Sequence, residues 1–175
     1  MSNPVIEAMK SRRSCRAFKS DPVPRELVEQ VAEAGLWAPS GMGRQPVKII
    51  AVTDKALRDL IAEKNRSIGG WPEGFDPFDG APVILAVVAD KSAFTAVYDG
   101  SLVMGNLLLA AHSLGLASIW IHRAKEECES EEGKALLASL GIEGDWEGIG
   151  HCALGYAAGP LPAGAPRKPG RIVWA

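Results

Sequence analysis

The chain has 175 residues, of which 47% are hydrophobic and 23% charged, and its formal net charge is −2. This length and composition predict one globular domain over residues 1–175, large enough to bury a substantial core. The near-zero charge argues against the broad basic surface that a nucleic acid or an anionic membrane would require.

Helical and strand-like apolar patterns alternate along the chain. The predicted helices cover residues 4–11, 24 or 25 to 37, 56–64, 92–114 and 131–140. The predicted strands cover residues 47–52, 83–89, 118–121 and 149–156, with a last apolar stretch at 172–175. Residues 67–81 form an aromatic-bearing loop, too long for a plain connector and therefore a candidate lid or interface element. This order predicts an α/β or α+β domain in which helices flank a central sheet.

The predicted helix at 92–114 is apolar nearly all round and carries the small residues Gly100, Ser101 and Gly105. A helix of this kind must be buried on every side, which is hard to arrange inside one domain of this size. Small residues would let a helix of a second copy approach closely. From these residues alone, a monomer core helix and a helix shared by two copies are equally well supported.

Three guanidinium groups and a hydroxyl fall within five residues after the first helix: Arg12, Arg13, Ser14 and Arg16. A phosphate is bound best by converging arginine forks and hydroxyl donors, because charge-assisted and bidentate hydrogen bonds are strong. Since the rest of the chain is not basic, this local cluster favours a small anionic ligand. A solvated basic patch at a helix end is the alternative.

A second motif joins the second helix to the first strand: Pro39, Ser40, Gly41 and Met42, with Gln45 close behind. Alone, these residues describe an ordinary helix-to-strand turn. Backbone amides and small side chains are also what the edge of a flat heterocycle requires. Together with the arginines, the loop therefore suggests a phosphorylated aromatic cofactor.

At these two motifs the chain resembles the FMN-dependent nitroreductase family, and the order of later motifs extends the resemblance to Trp174. Gly43 and Val47 depart from the residues that the family usually has there. The resemblance implies a nitroreductase-like α+β fold with a mixed central sheet, in an intertwined homodimer whose C-terminal strands can be exchanged. The helix at 92–114 would then form the dimer core.

The resemblance also implies how FMN would be held. Arg12, Arg13 and Ser14 would bind the phosphate, and Arg16 would lie against the flavin. The loop at residues 39–45 would reach the ring from the opposite subunit. Further cofactor contacts are implied at Asn65, at the backbone of Ile121 and His122, and on the phosphate at Arg167 and Lys168. The side chain of His122 would also face substrate.

The implied activity is that of an NAD(P)H oxidoreductase without a catalytic side chain, because the flavin carries the chemistry. No Gly-x-Gly-x-x-Gly sequence opens a helix after a strand, so NADH or NADPH would share one face of FMN with the acceptor, in ping-pong turnover. Expected acceptors are nitroaromatics, quinones or related small molecules. Two alternatives stay open: a non-catalytic module of the same fold that binds flavin or another phosphate ligand, and a flavin-independent anion-binding domain.

The positions of the cysteines and histidines bear on whether the protein has disulfides or a metal site. Cys15, Cys128 and Cys152 contain no close pair, and His112 and His151 have no ligand at metal-binding spacing, so we expect neither disulfides nor a metal site. A reducing, cytoplasmic location follows as an expectation. The longest apolar run is much shorter than the roughly 20 residues that span a bilayer, so no membrane partner is expected.

Overall fold

The computed structural model describes residues 3–175 of the chain. Its helices in chain order are α1 Pro4–Ser11, α2 Arg25–Leu36, α3 Lys55–Gly69, α4 Ala96–Ser113, α5 Ala124–Glu129 and α6 Glu131–Ser139. Its strands are β1 Val47–Val52, β2 Val83–Asp90, β3 Ala117–Ile121 and β4 Trp146–Gly155. None of the helices within residues 3–175 combines the length and the apolar character that crossing a membrane requires.

The four strands form one sheet in the order β1-β2-β4-β3, and every pairing between them is antiparallel. The predicted α+β fold is confirmed, although parallel pairing in the described residues is limited to an isolated bridge between Ser14 and Ser118. The segment after α3 explains the strand direction. It returns the chain to the end where β1 finished, so that Val52 pairs with Ile84.

The core lies on both faces of this sheet. Alternate residues of β2, including Leu85 and Val87, pack with α2 and α4 on one face. On the other face, Ile84 packs with α3, and Val88 packs with α6. Every residue of β2 except Asp90 is buried, as predicted for a strand covered on both sides.

Three predicted boundaries were wrong by three residues or more, and the first of them is the start of β4, which begins at Trp146 and not at residue 149. Helix α3 continues past residue 64 to Gly69 and ends where Gly70 adopts a left-handed φ of 69°. Asn65 therefore lies within the helix and not after it. Helix α4 begins at Ala96 and not at Ser92, because the N–H groups of Ser92 and Ala93 bond to Asp90 in a turn.

Helix α5 was not predicted. It is held by close backbone contacts that only glycine allows. A Cβ at Gly148 of β4 would lie 1.9 Å from the carbonyl oxygen of Ala124, and a Cβ at Gly133 of α6 would lie 1.9 Å from that of Glu127. The short helix is therefore wedged between β4 and α6.

In the single chain, α4 is not buried on every side. One face, including Met104 and Leu107, is fully enclosed, whereas Tyr98 is 72% exposed and Leu102 is about half exposed. The predicted last strand, residues 172–175, is not formed within the chain and its side chains are exposed.

Candidate functional site

The arginine segment lies along edge strand β3. The backbone N–H of Cys15 donates to the carbonyl of Ser118 at 3.1 Å, which extends the bridge between Ser14 and Ser118. Further along, the N–H of Lys19 donates to the carbonyl of Tyr156 at 2.8 Å. The side chain of Cys15 is buried and anchors the segment to the protein interior. The backbone that carries the arginines is thus fixed at both ends.

Two guanidinium groups of this segment are partly buried and incompletely paired. Arg13 donates through Nη1 to the carbonyls of Lys10 and Arg12 at 2.6 and 2.7 Å. Within residues 3–175, however, the buried Nε of Arg13 and the buried Nη1 of Arg12 have no acceptor. Buried donors on a cation are costly when unpaired. An anion bound here would supply the missing acceptors.

The C-terminal tail crosses Arg13. A Cβ at Gly164 would lie 1.9 Å from Nη2 of Arg13, so the tail backbone passes directly over the guanidinium group. The structure thus brings the first basic motif and the tail together. Arg167 and Lys168 follow in exposed chain, and no hydrogen bond or ion pair joins them to the arginine segment in the described part of the protein.

Arg12 is partly buried and close enough to Cys152 of β4 to influence its ionisation, whereas Arg16 is exposed. Burial raises the pKa of Cys152 to about 12, and the nearby Arg12 lowers it only in part. The thiol of Cys152 therefore stays protonated and unreactive. Arg16 is exposed and lies near Asp79.

The loop at residues 39–45 is held against the first turn of α4. The buried carboxylate of Asp99 accepts from the N–H of Gly41 at 3.0 Å and from the hydroxyl of Thr95 at 2.8 Å. Pro39 and Met42 are exposed, and Met42 has a left-handed φ of 55°. The loop closes on itself where the hydroxyl of Ser40 accepts from the N–H of Gln45 at 3.0 Å.

Within one chain, the two motifs lie at opposite ends of α4. The hydroxyl of Ser11, next to the arginine segment, bonds to Nε2 of His112 at 2.8 Å near the end of the helix. Asp99, which holds the loop, lies in the first turn of α4. At 1.5 Å per residue, Asp99 and His112 are roughly 20 Å apart. A single chain therefore does not bring the loop to the arginines.

Asn65 lies in a buried polar cluster at the end of β3. Its Nδ2 donates to the carbonyl of His122 at 2.8 Å and to Oε1 of Glu127 at 2.6 Å. The other oxygen of that carboxylate, Oε2, lies 2.7 Å from Nε2 of His151. Asn65 is inaccessible to solvent, whereas the side chain of His122 is exposed and that of Ile121 is partly buried.

Sequence reasoning missed Glu127 and the role of His151. The two residues lie on α5 and β4, 24 positions apart, and no local spacing links them. Their buried pairing depends on how α5 packs. Within residues 3–175, no group of three or more His, Cys, Asp or Glu side chains is arranged to hold a metal ion.

The antiparallel α+β fold thus carries a segment with two incompletely paired arginines, whose free donors are chemically suited to an anion. The model of the Nitroreductase family matches residues 9–156. The chain belongs to the nitroreductase family.

Solved structures and a curated relative agree with this family. A nitroreductase with bound FMN from Bacteroides fragilis is 31% identical, with a TM-score of 0.91 over 99% of this chain and 100% of its own. A nitroreductase with bound FMN from Desulfitobacterium hafniense is 26% identical, with a TM-score of 0.89 over the whole of both chains. The FMN reductase [NAD(P)H] of Bacillus subtilis is 30% identical over 67% of this chain. The chain spans only 53% to 59% of the lengths of the first curated relatives that it matches.

Proposed function

We propose that the protein is an FMN-dependent oxidoreductase that takes electrons from NADH or NADPH and reduces small acceptors such as nitroaromatics or quinones. One observation carries the proposal: the buried Nη1 of Arg12 and Nε of Arg13 have no acceptor within residues 3–175. A phosphate would satisfy both donors by charge-assisted hydrogen bonds. The bound FMN of two similar structures and the name of the curated relative support this choice.

Four more of the predicted residues, Ser14, Arg16, Arg167 and Lys168, are assigned to the same cofactor. Ser14 lies beside the two arginines, and the tail that crosses Arg13 continues to Arg167 and Lys168. These groups would complete the phosphate site. Arg16, at the surface, would favour the negative charge of a reduced flavin. When bound, FMN would supply the redox chemistry, receiving hydride from the nicotinamide and passing electrons to the acceptor in separate half-reactions.

We also propose that two copies form a homodimer through α4. Phe94 and Tyr98, which line one shallow cavity at the start of α4, are 71% and 72% exposed in the single chain, which is unusual for neighbouring large side chains of this kind. Gly105 has open space beside it, where a partner helix can approach. A second copy would cover this face and could bring the loop at residues 39–45 to the partner's arginines. The exposed residues 172–174 would then be free to pair with the partner.

The function is tested by anaerobic reduction of the FMN-reconstituted protein. We expect a yellow protein that bleaches with NADH or NADPH and regains its colour when a nitroaromatic or a quinone is added. A protein that retains its colour but oxidises neither nicotinamide would instead be a non-catalytic flavin-binding module. A protein that binds no FMN would contradict the proposal altogether.

Substitution of Arg13 tests the phosphate site directly. Arg13→Met keeps the apolar stem but removes the guanidinium, so we expect FMN affinity to fall by about ten- to a hundred-fold. Quenching of flavin fluorescence measures the dissociation constant. The matched control is Arg25→Met on α2, where the side chain is 86% exposed and pairs with Glu29. Equal FMN affinity in the two variants would show that Arg13 does not hold the cofactor.

A further inference from the structure

We propose that Glu127 and His151 are positioning residues for the cofactor site, acting through Asn65 on the backbone turn at His122 and Arg123. The inference rests on the proposed function, because the turn directly follows β3, the strand along which the arginine segment lies, and so borders the proposed FMN site. Neither residue needs to touch the cofactor. They act by fixing one side-chain amide in one orientation.

The orientation of the Asn65 amide follows from its neighbours. Both groups within hydrogen-bond distance of Nδ2, the carbonyl of His122 and a carboxylate oxygen of Glu127, can only accept. Turning the amide over would place Oδ1 against two oxygens. Glu127 therefore holds the amide so that its nitrogen stays on the His122 carbonyl.

This hydrogen bond sets the direction of the next backbone N–H. A trans peptide has its C=O and N–H on opposite sides, and the described residues contain no cis peptide. Since the His122 carbonyl points inward to Asn65, the N–H of Arg123 points away from it. That N–H has no hydrogen-bond acceptor within residues 3–175 and would be the donor that a ligand bound at this turn meets.

The turn requires such support because its backbone is strained. Arg123 has a φ of 79°, a left-handed conformation that costs energy for any residue with a side chain. The carbonyl of Arg123 accepts from the N–H of Glu127 at 3.1 Å. Glu127 thus braces the turn twice, through its backbone and, by way of Asn65, through its side chain.

The pair formed by Glu127 and His151 is itself enclosed by the protein. Glu127 and His151 are at least nine-tenths buried, and the imidazole lies edge-on to the ring of Phe78 with centroids 5.4 Å apart. A buried carboxylate must have its oxygens paired, and both are: one with Asn65 and one with His151. His151 therefore holds the carboxylate that holds the amide.

Glu127→Leu tests the inference, because it removes both acceptor oxygens while retaining a side chain of similar volume. In FMN-loaded protein we expect a dissociation constant about ten-fold higher and a shift in the visible flavin spectrum. Glu127→Gln retains an oxygen for Asn65, and its amide can donate to His151, so we expect values within about two-fold of the original protein. Should Glu127→Leu not fold, Asn65→Ala removes the same donor and is expected to give the same changes.

Two controls separate positioning from general loosening. Glu129→Leu makes the same change at an exposed position of α5 and should leave the flavin unaffected. Leu136→Ala weakens the wall of the small cavity that Glu127 and His151 also line, so it should lower the Tm but not move the spectrum. An equal spectral shift in Leu136→Ala would overturn the inference. So would an unchanged dissociation constant in folded Asn65→Ala. Failure of the original protein to bind FMN would overturn the proposed function as well.

Discussion

The charge of Asp79, a residue near Arg16 of the candidate site, is poorly accommodated. It lies in the segment after α3 with a φ of 53°, and its carbonyl accepts from the N–H of Phe18 at 3.2 Å. Burial and the neighbouring Asp76 raise the pKa of its carboxyl, while Arg16 lowers it. The carboxylate therefore binds a proton more tightly in the folded state than in the unfolded chain.

We expect Asp79→Asn to stabilise the protein at neutral pH. A folded-state pKa above the ordinary value of 3.8 means that ionisation of Asp79 lowers stability as pH rises through that folded pKa. Asn carries no charge and tolerates the left-handed backbone. Thermal unfolding should show a higher Tm for the variant at neutral pH and a difference that shrinks on acidification.

Asp21→Asn, in an exposed irregular segment before α2, is the matched control and should change little at any pH. If Asp79→Asn raised the Tm by the same amount at every pH, the stabilisation could not be attributed to the ionisation of Asp79.

At single residues, some features of the candidate site could be predicted from the sequence and others could not. The arginine cluster was predictable because its members lie within five positions and share one chemistry, and the structure leaves two of its donors unpaired. The buried surroundings of Asn65 were not predictable. Its neighbours come from α5, β3 and β4, which only the tertiary packing brings together.

At the scale of elements, periodicity located α1 and β1 at their observed bounds, because each follows a regular apolar spacing next to a clear breaker. Helix α5 escaped prediction for the opposite reason. Its six residues include one lysine and three glutamates and show no apolar stripe. Its place is set by the missing side chains of Gly133 and Gly148 on the elements around it.

Gly148→Ala should therefore destabilise the protein although alanine suits a strand better than glycine does. The new Cβ would meet the backbone carbonyl of Ala124, which cannot move aside cheaply, so we expect a loss of about 1–3 kcal/mol. Urea unfolding measures the change. Gly159→Ala is the control, because nothing lies within 4 Å of its added Cβ. An equally stable Gly148→Ala variant would mean that α5 can shift freely.

At the scale of the whole molecule, the exposed face of α4 and the position of the loop at residues 39–45 both favour a site formed by two copies. The face is apolar but uncovered, and the loop lies at the far end of the helix from its own arginines. Both features are accounted for if the complete site needs two copies. The sequence favoured this arrangement only by resemblance, since an apolar helix fits a monomer core equally well.

Tyr98→Glu should disrupt the proposed dimer and, with it, FMN binding. A charge placed at the centre of an apolar interface is strongly unfavourable. Size-exclusion chromatography with light scattering should show a dimer for the original protein and a monomer for the variant, together with weaker FMN binding. Leu60→Glu, at an exposed position of α3, should leave both unchanged. A Tyr98→Glu variant that stayed dimeric would place the interface elsewhere.

The passage of the tail over Arg13 has a consequence for biosynthesis. Gly164 follows Arg13 by about 150 residues, so the contact between them cannot form until the ribosome has synthesised Gly164 and released it from the exit tunnel. The helices and the sheet can form before that moment, but the contact between the tail and Arg13 cannot. If the proposed phosphate site needs this contact, FMN would bind only after Gly164 has emerged from the ribosome, and a nascent chain stalled earlier would fold without gaining colour.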